Sequence, residues 1–235
     1  MLTTVALDCG LVLAYPASGN WFMPSNLPEL LGPRNTAILD SGAPLIEENM
    51  RRAQNFLSAN HLLHAEKEEF EQFAEFYRIA FGGCGFEGLD EVAERLARDI
   101  VYNDARVAFY GDVLPGIQAL KARWKVVVIS DAWPSLRRVL AAAGVLPLLD
   151  DLVISCHYGH CKSDDGKLFV SAIEHHGVIP GQCLFVDDGA DNLAWAKKLG
   201  FHTALMDRKG KPEALEYTYT LVHTLDEVMA LAMQI

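Results

Sequence analysis

From about Tyr110 onward, the chain alternates between short apolar runs and amphipathic segments, and this alternation leaves few folds open. Apolar runs at residues 126–129, 152–154, 184–186 and 203–205 predict strands, and the segments between them place apolar residues at helical spacing. Short β-branched runs bounded by helices are typical of parallel strands covered on both faces. The pattern therefore predicts an α/β fold built on a parallel sheet.

A further apolar run at residues 4–7 is separated from the others by a long segment of different character. In that segment three apolar stripes recur at helical spacing, with no strand-like run between them. The stripes consist of Ile46, Met50, Ala53 and Leu57; Phe70, Phe73, Ala74 and Tyr77; and Ala93, Leu96, Ala97 and Ile100. We therefore expect an α/β core, residues 1–15 and 110–235, interrupted after its first strand by an all-helical insert, residues 16–109.

The composition fits a folded chain and restricts its partners. Of the 235 residues, 51% are hydrophobic, and 20 Lys+Arg against 31 Asp+Glu give a formal net charge of −11. That length suits one large domain or a core with an insert. A charge this negative repels phosphate backbones and anionic lipid surfaces, so we expect neither a nucleic-acid nor a membrane partner. An anionic ligand would then need a locally positive pocket.

The cysteines and the N-terminal charge pattern predict a cytoplasmic protein. The five cysteines are scattered, odd in number and found in a chain long enough to need no disulfides. No Lys or Arg precedes Arg34, so the positive region of a secretory signal is not seen. We expect a monomer or a homodimer.

Acidic and hydroxyl side chains follow three of the predicted strands. Asp8 follows the first run, Ser130 and Asp131 follow the run at 126–129, and Asp187 and Asp188 follow the run at 184–186. Ligands of open parallel sheets bind beyond the carboxyl ends of the strands, where these groups would meet. Asp and Ser also favour strand ends and caps, and for Ser130 alone capping is the simpler interpretation. Converging carboxylates repel one another unless a cation neutralises them, and their hard oxygen ligands suit Mg²⁺.

Four motifs in order resemble those of the haloacid dehalogenase superfamily, in its phosphatase-type branch with a helical cap. The first is Val-Ala-Leu-Asp-Cys-Gly-Leu-Val-Leu at residues 5–13, and the second is Val-Ile-Ser-Asp at 128–131. The third is Lys162 within Gly-His-Cys-Lys-Ser-Asp, and the fourth is Phe-Val-Asp-Asp-Gly-Ala-Asp-Asn at 185–192. The resemblance covers the whole predicted core. It implies a Rossmann-like three-layer sheet core with an all-α cap inserted after the first motif.

The resemblance also implies roles for individual residues. Asp8 would be the nucleophile, forming an aspartyl-phosphate that water hydrolyses. The phosphate oxygens would be held by Ser130, Lys162 and backbone N–H groups near Cys9, Gly10 and Asp131. The simpler interpretation of Lys162 is a solvated surface lysine, but its place within the third motif favours the functional role.

A Mg²⁺ ion is the implied cofactor. It would bind Asp8, the carbonyl of Gly10 and Asp188, with Asp187 beside it as a ligand or through water, and Asn192 supporting these ligands from outside. Such an ion would let a carboxylate approach a phosphate dianion and would stabilise the transferring phosphoryl group.

Gly10 departs from the usual phosphatase pattern, in which a second Asp two residues after the nucleophile serves as general acid and base. Positioned acid–base catalysis contributes about 10²–10⁴-fold to a rate. A branch of the same superfamily carries Asp-x-Gly in this motif and includes phosphatases, and we favour membership of that branch. Such an enzyme would act on a small phosphorylated metabolite, with a sugar phosphate as one candidate.

Two other interpretations of Gly10 stay open. A metal-free 2-haloacid-dehalogenase-like hydrolase needs no general acid, because halide leaves without a proton, but Asp187 and Asp188 would then be unneutralised beside a carboxylate nucleophile. A non-catalytic member of the fold, acting as a binding or interaction protein, is the third interpretation.

Overall fold

The computed structural model describes residues 1–41, 44–210 and 219–235. The chain forms two compact units: Met1–Tyr15 together with Phe109–Ile235, and Pro16–Ala108. Each unit has its own buried core.

The strands are short, and most of them belong to the first unit. In chain order they are β1 (Thr4–Leu7), β2 (Ala14–Pro16), β3 (Val107–Phe109), β4 (Lys125–Ser130), β5 (Asp151–Ile154), β6 (Cys183–Asp187), β7 (His202–Met206) and β8 (Thr220–Val222). In the described ranges, six of them form one sheet in the order β5-β4-β1-β6-β7-β8, while β2 and β3 pair with each other. The pairings within the six-stranded sheet are parallel, which confirms the predicted α/β class.

The helices divide between the two units. In chain order they are α1 (Leu27–Leu31), α2 (Pro33–Asp40), α3 (Pro44–Ala59), α4 (Glu66–Phe81), α5 (Leu89–Tyr102), α6 (Val113–Lys121), α7 (Leu136–Ala142), α8 (Lys167–His176), α9 (Ala190–Lys198) and α10 (Leu225–Ala232). Short 3-10 turns lie at Asp104–Arg106, Leu146–Leu148, Ser155–His157 and Pro180–Gln182. Among the described helices, none combines the length and the apolar character that a membrane span requires.

The second unit is built on α3, α4 and α5, which carry the three apolar stripes predicted for this segment. Most members of these stripes are buried, and Tyr77 and Leu96 are fully so. Burial of one face of each helix is what stabilises such a bundle, because short helices are marginal in water by themselves.

In the first unit, β1 lies at the centre of the sheet between β4 and β6. All four of its residues are buried, and Leu7 pairs with Val128 on one side and Val186 on the other. This register brings the carboxyl ends of three neighbouring strands to the same edge of the sheet. The residues that follow Leu7, Ile129 and Val186 therefore meet there.

Aromatic side chains pack α8 against one face of the sheet. The ring of Phe169, on α8, lies 5.0 Å from that of Phe185, on β6, and 5.6 Å from that of Phe201.

On α6, a Cβ atom at Gly116 would come within 2.5 Å of the side chain of Leu225, so this glycine allows α10 to dock closely.

Candidate active site

Three carboxylates converge at the carboxyl edge of the sheet. Asp8 follows β1, Asp187 is the last residue of β6 and Asp188 comes next. One ligand oxygen from each lies within 4.8 Å of those from the other two. Asp8 and Asp187 are buried, whereas Asp188 is half-buried. The cluster is therefore open to the outside through Asp188.

Lys162 is the cation of this cluster. Its Nζ atom lies 2.7 Å from Oδ1 of Asp8 and 2.6 Å from Oδ2 of Asp187, and its side chain is only 1% exposed. The contact with Asp187 is an aligned hydrogen bond, whereas Oδ1 of Asp8 is buried without a hydrogen-bond partner. The contact with Asp8 is thus an ion pair that leaves an acceptor site of the carboxylate unsatisfied.

The side chain of Asp131 forms a hydrogen bond with the backbone of Lys162. Oδ1 of Asp131 accepts a hydrogen bond from the amide of Lys162 at 2.8 Å. Oγ of Ser155 accepts one from the amide of Ala132 at 2.9 Å, which joins the end of β4 to the segment after β5. Asp131 therefore contributes its side chain to the site, in addition to the backbone N–H that the sequence motif suggests.

Hydrogen bonds from three sides fix Asp187. Its Oδ1 accepts from the amide of Gly189 at 2.7 Å, and Nδ2 of Asn192 lies 3.2 Å from both of its oxygens. With Lys162 on Oδ2, both oxygens of Asp187 are engaged within the protein. Asn192 lies directly beside the acidic cluster, in contact with Asp187.

Burial and neighbouring charges shift the pKa values of this cluster. Burial raises the pKa of Asp8 to about 7; Lys162 opposes the rise, and Asp187 and Asp131 add to it. Burial acts to lower the pKa of Lys162, but the neighbouring carboxylates outweigh it and raise that pKa above its usual range. Burial, with the charges of Asp187 and Asp164, also raises the pKa of Asp131. The carboxyl group of Asp8 is therefore harder to ionise than an exposed one, although Lys162 contacts it.

A tight turn follows Asp8. The amides of Leu13 and Ala14 both donate to the carbonyl of Cys9 at 2.9 Å, and the amide of Leu11 donates to the carbonyl of Ala14. Leu11 has a φ of 57°, a left-handed conformation that costs a non-glycine residue about 1–2 kcal/mol. We call residues 9–14 the 9–14 turn. It carries the backbone of Cys9 and Gly10 past Asp8.

The other predicted site residues lie in the same unit. Ser130 is the last residue of β4 and is 2% exposed. The side chain of Cys9 is buried, and burial raises the pKa of its thiol. Gly10 forms a bridge with Ala14 and brings no ionisable side chain to the turn.

The described residues can hold a divalent cation. Asp8 offers a carboxylate that Lys162 contacts at Oδ1, and Asp188 offers a half-buried carboxylate oxygen within 4.8 Å of it. Carboxylate oxygens are the ligands that hard divalent cations prefer, and a cation would relieve the repulsion between these carboxylates. Asp187 is less available, because Lys162 and Gly189 occupy its oxygens.

Arg208 is a residue of this region that the sequence analysis missed. It stands two residues beyond the end of β7, and its guanidinium donates two hydrogen bonds to the carbonyl of Val12 in the 9–14 turn. A signal was present, because the rule of inspecting the residues after each apolar run applies equally to the run at 203–205.

The fold resembles those of solved hydrolases. The 2-haloacid dehalogenase from Pseudomonas syringae pv. Tomato matches with a TM-score of 0.69 and 16% identity, covering 100% of this chain and 99% of that one. A HAD phosphatase from Thermococcus onnurineus matches with a TM-score of 0.58 and 17% identity, covering 98% and 97%. The fold is therefore common to dehalogenases and phosphatases and does not separate them.

Two curated relatives match shorter segments. The D-ribitol-5-phosphate phosphatase of Bacteroides thetaiotaomicron is 43% identical over 54 residues, 23% of this chain and 26% of that protein. The (S)-2-haloacid dehalogenase 4A of Burkholderia cepacia is 27% identical over 109 residues, 46% of this chain and 47% of that protein. The matched segments span less than half the length of either relative.

The match to a family is longer. The model of the haloacid dehalogenase-like hydrolases matches residues 26–200, which is most of the chain. Together with the parallel sheet and the acidic edge described above, this match shows that the chain belongs to the haloacid dehalogenase-like hydrolases.

Proposed function

We propose that this hydrolase is a Mg²⁺-dependent phosphatase that acts on a small phosphorylated metabolite through an aspartyl-phosphate on Asp8. The observation that carries the proposal is the convergence of Asp8, Asp187 and Asp188, whose carboxylate oxygens lie within 4.8 Å of one another at the carboxyl edge of the sheet. Carboxylates this close repel one another, so the group is suited to a cation, and a cation is what a phosphate dianion needs in order to approach a carboxylate.

In this mechanism Asp8 attacks phosphorus, a bond forms between its carboxylate oxygen and phosphorus, and the leaving-group oxygen departs with the bonding electrons. A Mg²⁺ ion held by Asp8, Asp188 and the carbonyl of Gly10 would neutralise charge on the transferring phosphoryl group. Lys162 has three N–H donors, so it can hold Asp187 and still donate to a phosphate oxygen. Ser130 and backbone N–H groups of the 9–14 turn would complete the phosphate site.

Asp187 and Asn192 would act through Lys162. The hydrogen bond at 2.6 Å directs the ammonium toward the edge of the sheet where Asp8 stands, and Asn192 holds Asp187 in place. Because Lys162 is buried among carboxylates, it stays charged throughout the working pH range. It thus supplies the locally positive group that the net charge of the chain does not suggest.

Gly10 limits the leaving groups that this site can expel. With no carboxyl group at that position, departure is easiest for leaving groups that need little protonation, such as an anomeric sugar phosphate or an acyl phosphate. The D-ribitol-5-phosphate phosphatase supports a sugar or polyol phosphate as the substrate class, and the alkyl leaving group of such a substrate would need its proton from a group other than residue 10. In this proposal residues 16–109 are the cap that sets substrate choice, and the enzyme works in the cytoplasm as a monomer or homodimer.

A second candidate is a metal-free 2-haloacid dehalogenase, which Gly10 favours because halide needs no general acid. The (S)-2-haloacid dehalogenase of Burkholderia cepacia supports it as well. Asp188 counts against it, since a second carboxylate within 4.8 Å of Asp8 opposes the ionised form that the nucleophile requires.

Turnover with and without a chelator separates the two candidates. The wild-type protein would be assayed for phosphate release from p-nitrophenyl phosphate and D-ribitol 5-phosphate, and for chloride release from 2-chloropropionate, in Mg²⁺ and in EDTA. We expect Mg²⁺-dependent phosphate release that Asp8→Asn abolishes and that Asp226→Asn, a change at an exposed position on α10, leaves intact. Chloride release in EDTA without phosphate release would establish the dehalogenase instead.

A further inference from the structure

The guanidinium of Arg208 joins parts of the first unit that are far apart in sequence. Its Nε and Nη2 atoms donate to the carbonyl of Val12 at 3.0 and 2.8 Å, across 196 positions of the chain. Its Nη1 atom donates to Oδ2 of Asp112 at 2.8 Å and to the carbonyl of His223 at 3.2 Å. The side chain is 6% exposed. Four hydrogen bonds and burial therefore hold the guanidinium in one orientation.

The far side of the guanidinium is also fixed. Its central carbon lies 4.4 Å from the centre of the Tyr110 ring, a cation–π arrangement. Oδ2 of Asp112 accepts a second hydrogen bond from the amide of Leu225, at the start of α10, at 2.8 Å. Arg208 therefore contacts Tyr110 and Asp112, the residue that precedes α6, and Asp112 links it to the start of α10.

The carbonyl of Val12 belongs to the 9–14 turn, whose backbone is strained at Leu11. Three hydrogen bonds close this turn from inside, and the two from Arg208 reach it from outside. A left-handed leucine persists only where the surrounding structure holds it in place. Arg208 provides such an external hold, and the turn begins directly after Asp8.

We propose that Arg208 is a positioning residue for the chemistry at Asp8: it holds the 9–14 turn so that the backbone of Cys9 and Gly10 faces the reacting group. The proposal rests on the function proposed above. The planar fork of arginine explains the residue type, because it directs two donors to one carbonyl and a third to Asp112. Lysine has the charge but not the fork.

The test compares Arg208→Lys and Arg208→Ala with the full-length wild-type protein, using p-nitrophenyl phosphate and Mg²⁺. We expect Arg208→Lys to lower kcat about tenfold and Arg208→Ala about a hundredfold, with KM changed less than about threefold, because a small misplacement of reacting groups costs rates of this size. Millimolar guanidinium should restore part of the kcat of Arg208→Ala, and ammonium should not.

Asp150→Ala is the matched control for stability. Asp150 accepts hydrogen bonds from the amide of Val126 at 2.9 Å and from Lys121 at 3.2 Å, at the opposite edge of the same sheet. The Asp150→Ala substitution removes these hydrogen bonds and should lower Tm without lowering kcat. If Arg208→Lys likewise lowers Tm and leaves kcat unchanged, the residue is merely structural and the proposal is overturned.

Hydrogen exchange gives a readout that does not depend on the reaction. The hydrogen bonds that close the turn are donated by the amides of Leu11, Leu13 and Ala14. These amides should exchange about tenfold faster in Arg208→Lys than in wild type, and their exchange rates in Asp150→Ala should equal those of wild type. Equal rates in Arg208→Lys and wild type would overturn the positioning role. A wild-type protein that releases no phosphate would refute the proposed function, while the exchange rates would still decide whether Arg208 holds the turn.

Discussion

The Nζ atom of Lys162 lies 2.7 Å from Oδ1 of Asp8, although 154 positions separate the two residues and neither side chain is more than 10% exposed. The pair is not balanced, because Asp187 and Asp131 add further negative charge around the same ammonium. This arrangement keeps Lys162 charged and leaves Asp8 with a raised pKa. In the proposed function this ammonium is the positive group that an incoming phosphate would meet.

Replacing Lys162 by methionine tests the role of this cation. The change leaves Asp8 and Asp187 buried without their positive partner, and breaking a buried ion pair costs about 3–5 kcal/mol. We expect the free energy of unfolding in urea to fall by that order and phosphatase activity to be lost. Lys167→Met, an exposed lysine at the start of α8, is the control and should leave both unchanged. Activity retained in Lys162→Met would remove Lys162 from the mechanism.

The raised pKa of Asp8 predicts a pH-dependent stability in the metal-free protein. The pKa is about 7 in the folded chain against an ordinary value of 3.8, so the unfolded state releases this proton at lower pH. Stability from this group is therefore fully present below about pH 4 and is lost as pH rises toward about 7. Asp8→Asn cannot titrate, so in EDTA its stability relative to wild type should increase over that range.

Urea unfolding of both proteins at several pH values between 4 and 8 measures this difference. Asp226→Asn, which neutralises an aspartate at an exposed position on α10, serves as the control. A difference between Asp8→Asn and wild type that is independent of pH would show that burial does not shift Asp8.

Asp187 and Asp188 are adjacent but should respond differently to the same substitution. Asp187→Asn disturbs hydrogen bonds to a charged lysine and to Gly189, which costs about 1.5–3 kcal/mol of stability. Asp188→Asn lies at a half-buried position and should change stability by less than Asp187→Asn does. Instead, it should raise the Mg²⁺ concentration for half-maximal activity about tenfold or more. Equal Mg²⁺ dependence in Asp188→Asn and wild type would exclude Asp188 as a ligand.

Gly10→Asp tests whether the missing carboxyl group limits the reaction. Gly10 is not among the residues with positive φ, so an aspartate meets no left-handed strain there. We expect kcat for an alkyl phosphate such as D-ribitol 5-phosphate to rise about tenfold, because its leaving group needs a proton. The rate of p-nitrophenol release in the first turnover of p-nitrophenyl phosphate, whose leaving group needs no proton, should stay within about twofold. A parallel rise for both substrates would mean that the added carboxylate acts in another way.

Much of the fold follows from local pattern. The run at residues 4–7 coincides with β1, and the runs at 126–129, 152–154, 184–186 and 203–205 all lie within observed strands. Each is apolar because both faces of a parallel sheet are covered. Local pattern predicts neither β8 nor α10, the helix that begins three residues after β8 ends. Thr-Leu-Val is too short a run to distinguish from a loop, and β2 and β3 are equally short.

The site divides in the same way. The strand-end rule brings together Asp8, Asp187 and Asp188, because adjacent parallel strands end at one edge. Local pattern does not reveal the side-chain contact of Asp131 with the amide of Lys162, nor the reach of Arg208 to Val12. These contacts join residues that only the folded chain brings together, and their geometry depends on packing rather than on spacing in the sequence.

Mass spectrometry of the acid-quenched protein tests the central claim, that Asp8 accepts a phosphoryl group, most directly. With p-nitrophenyl phosphate and Mg²⁺, the good leaving group makes formation of the intermediate fast, so that its hydrolysis limits turnover and the intermediate accumulates. We predict that the peptide containing Asp8 gains the mass of one phosphoryl group, and that the gain is absent in EDTA. An unmodified peptide under these conditions, together with an ester on Asp8 after reaction with 2-chloropropionate in EDTA, would contradict the account.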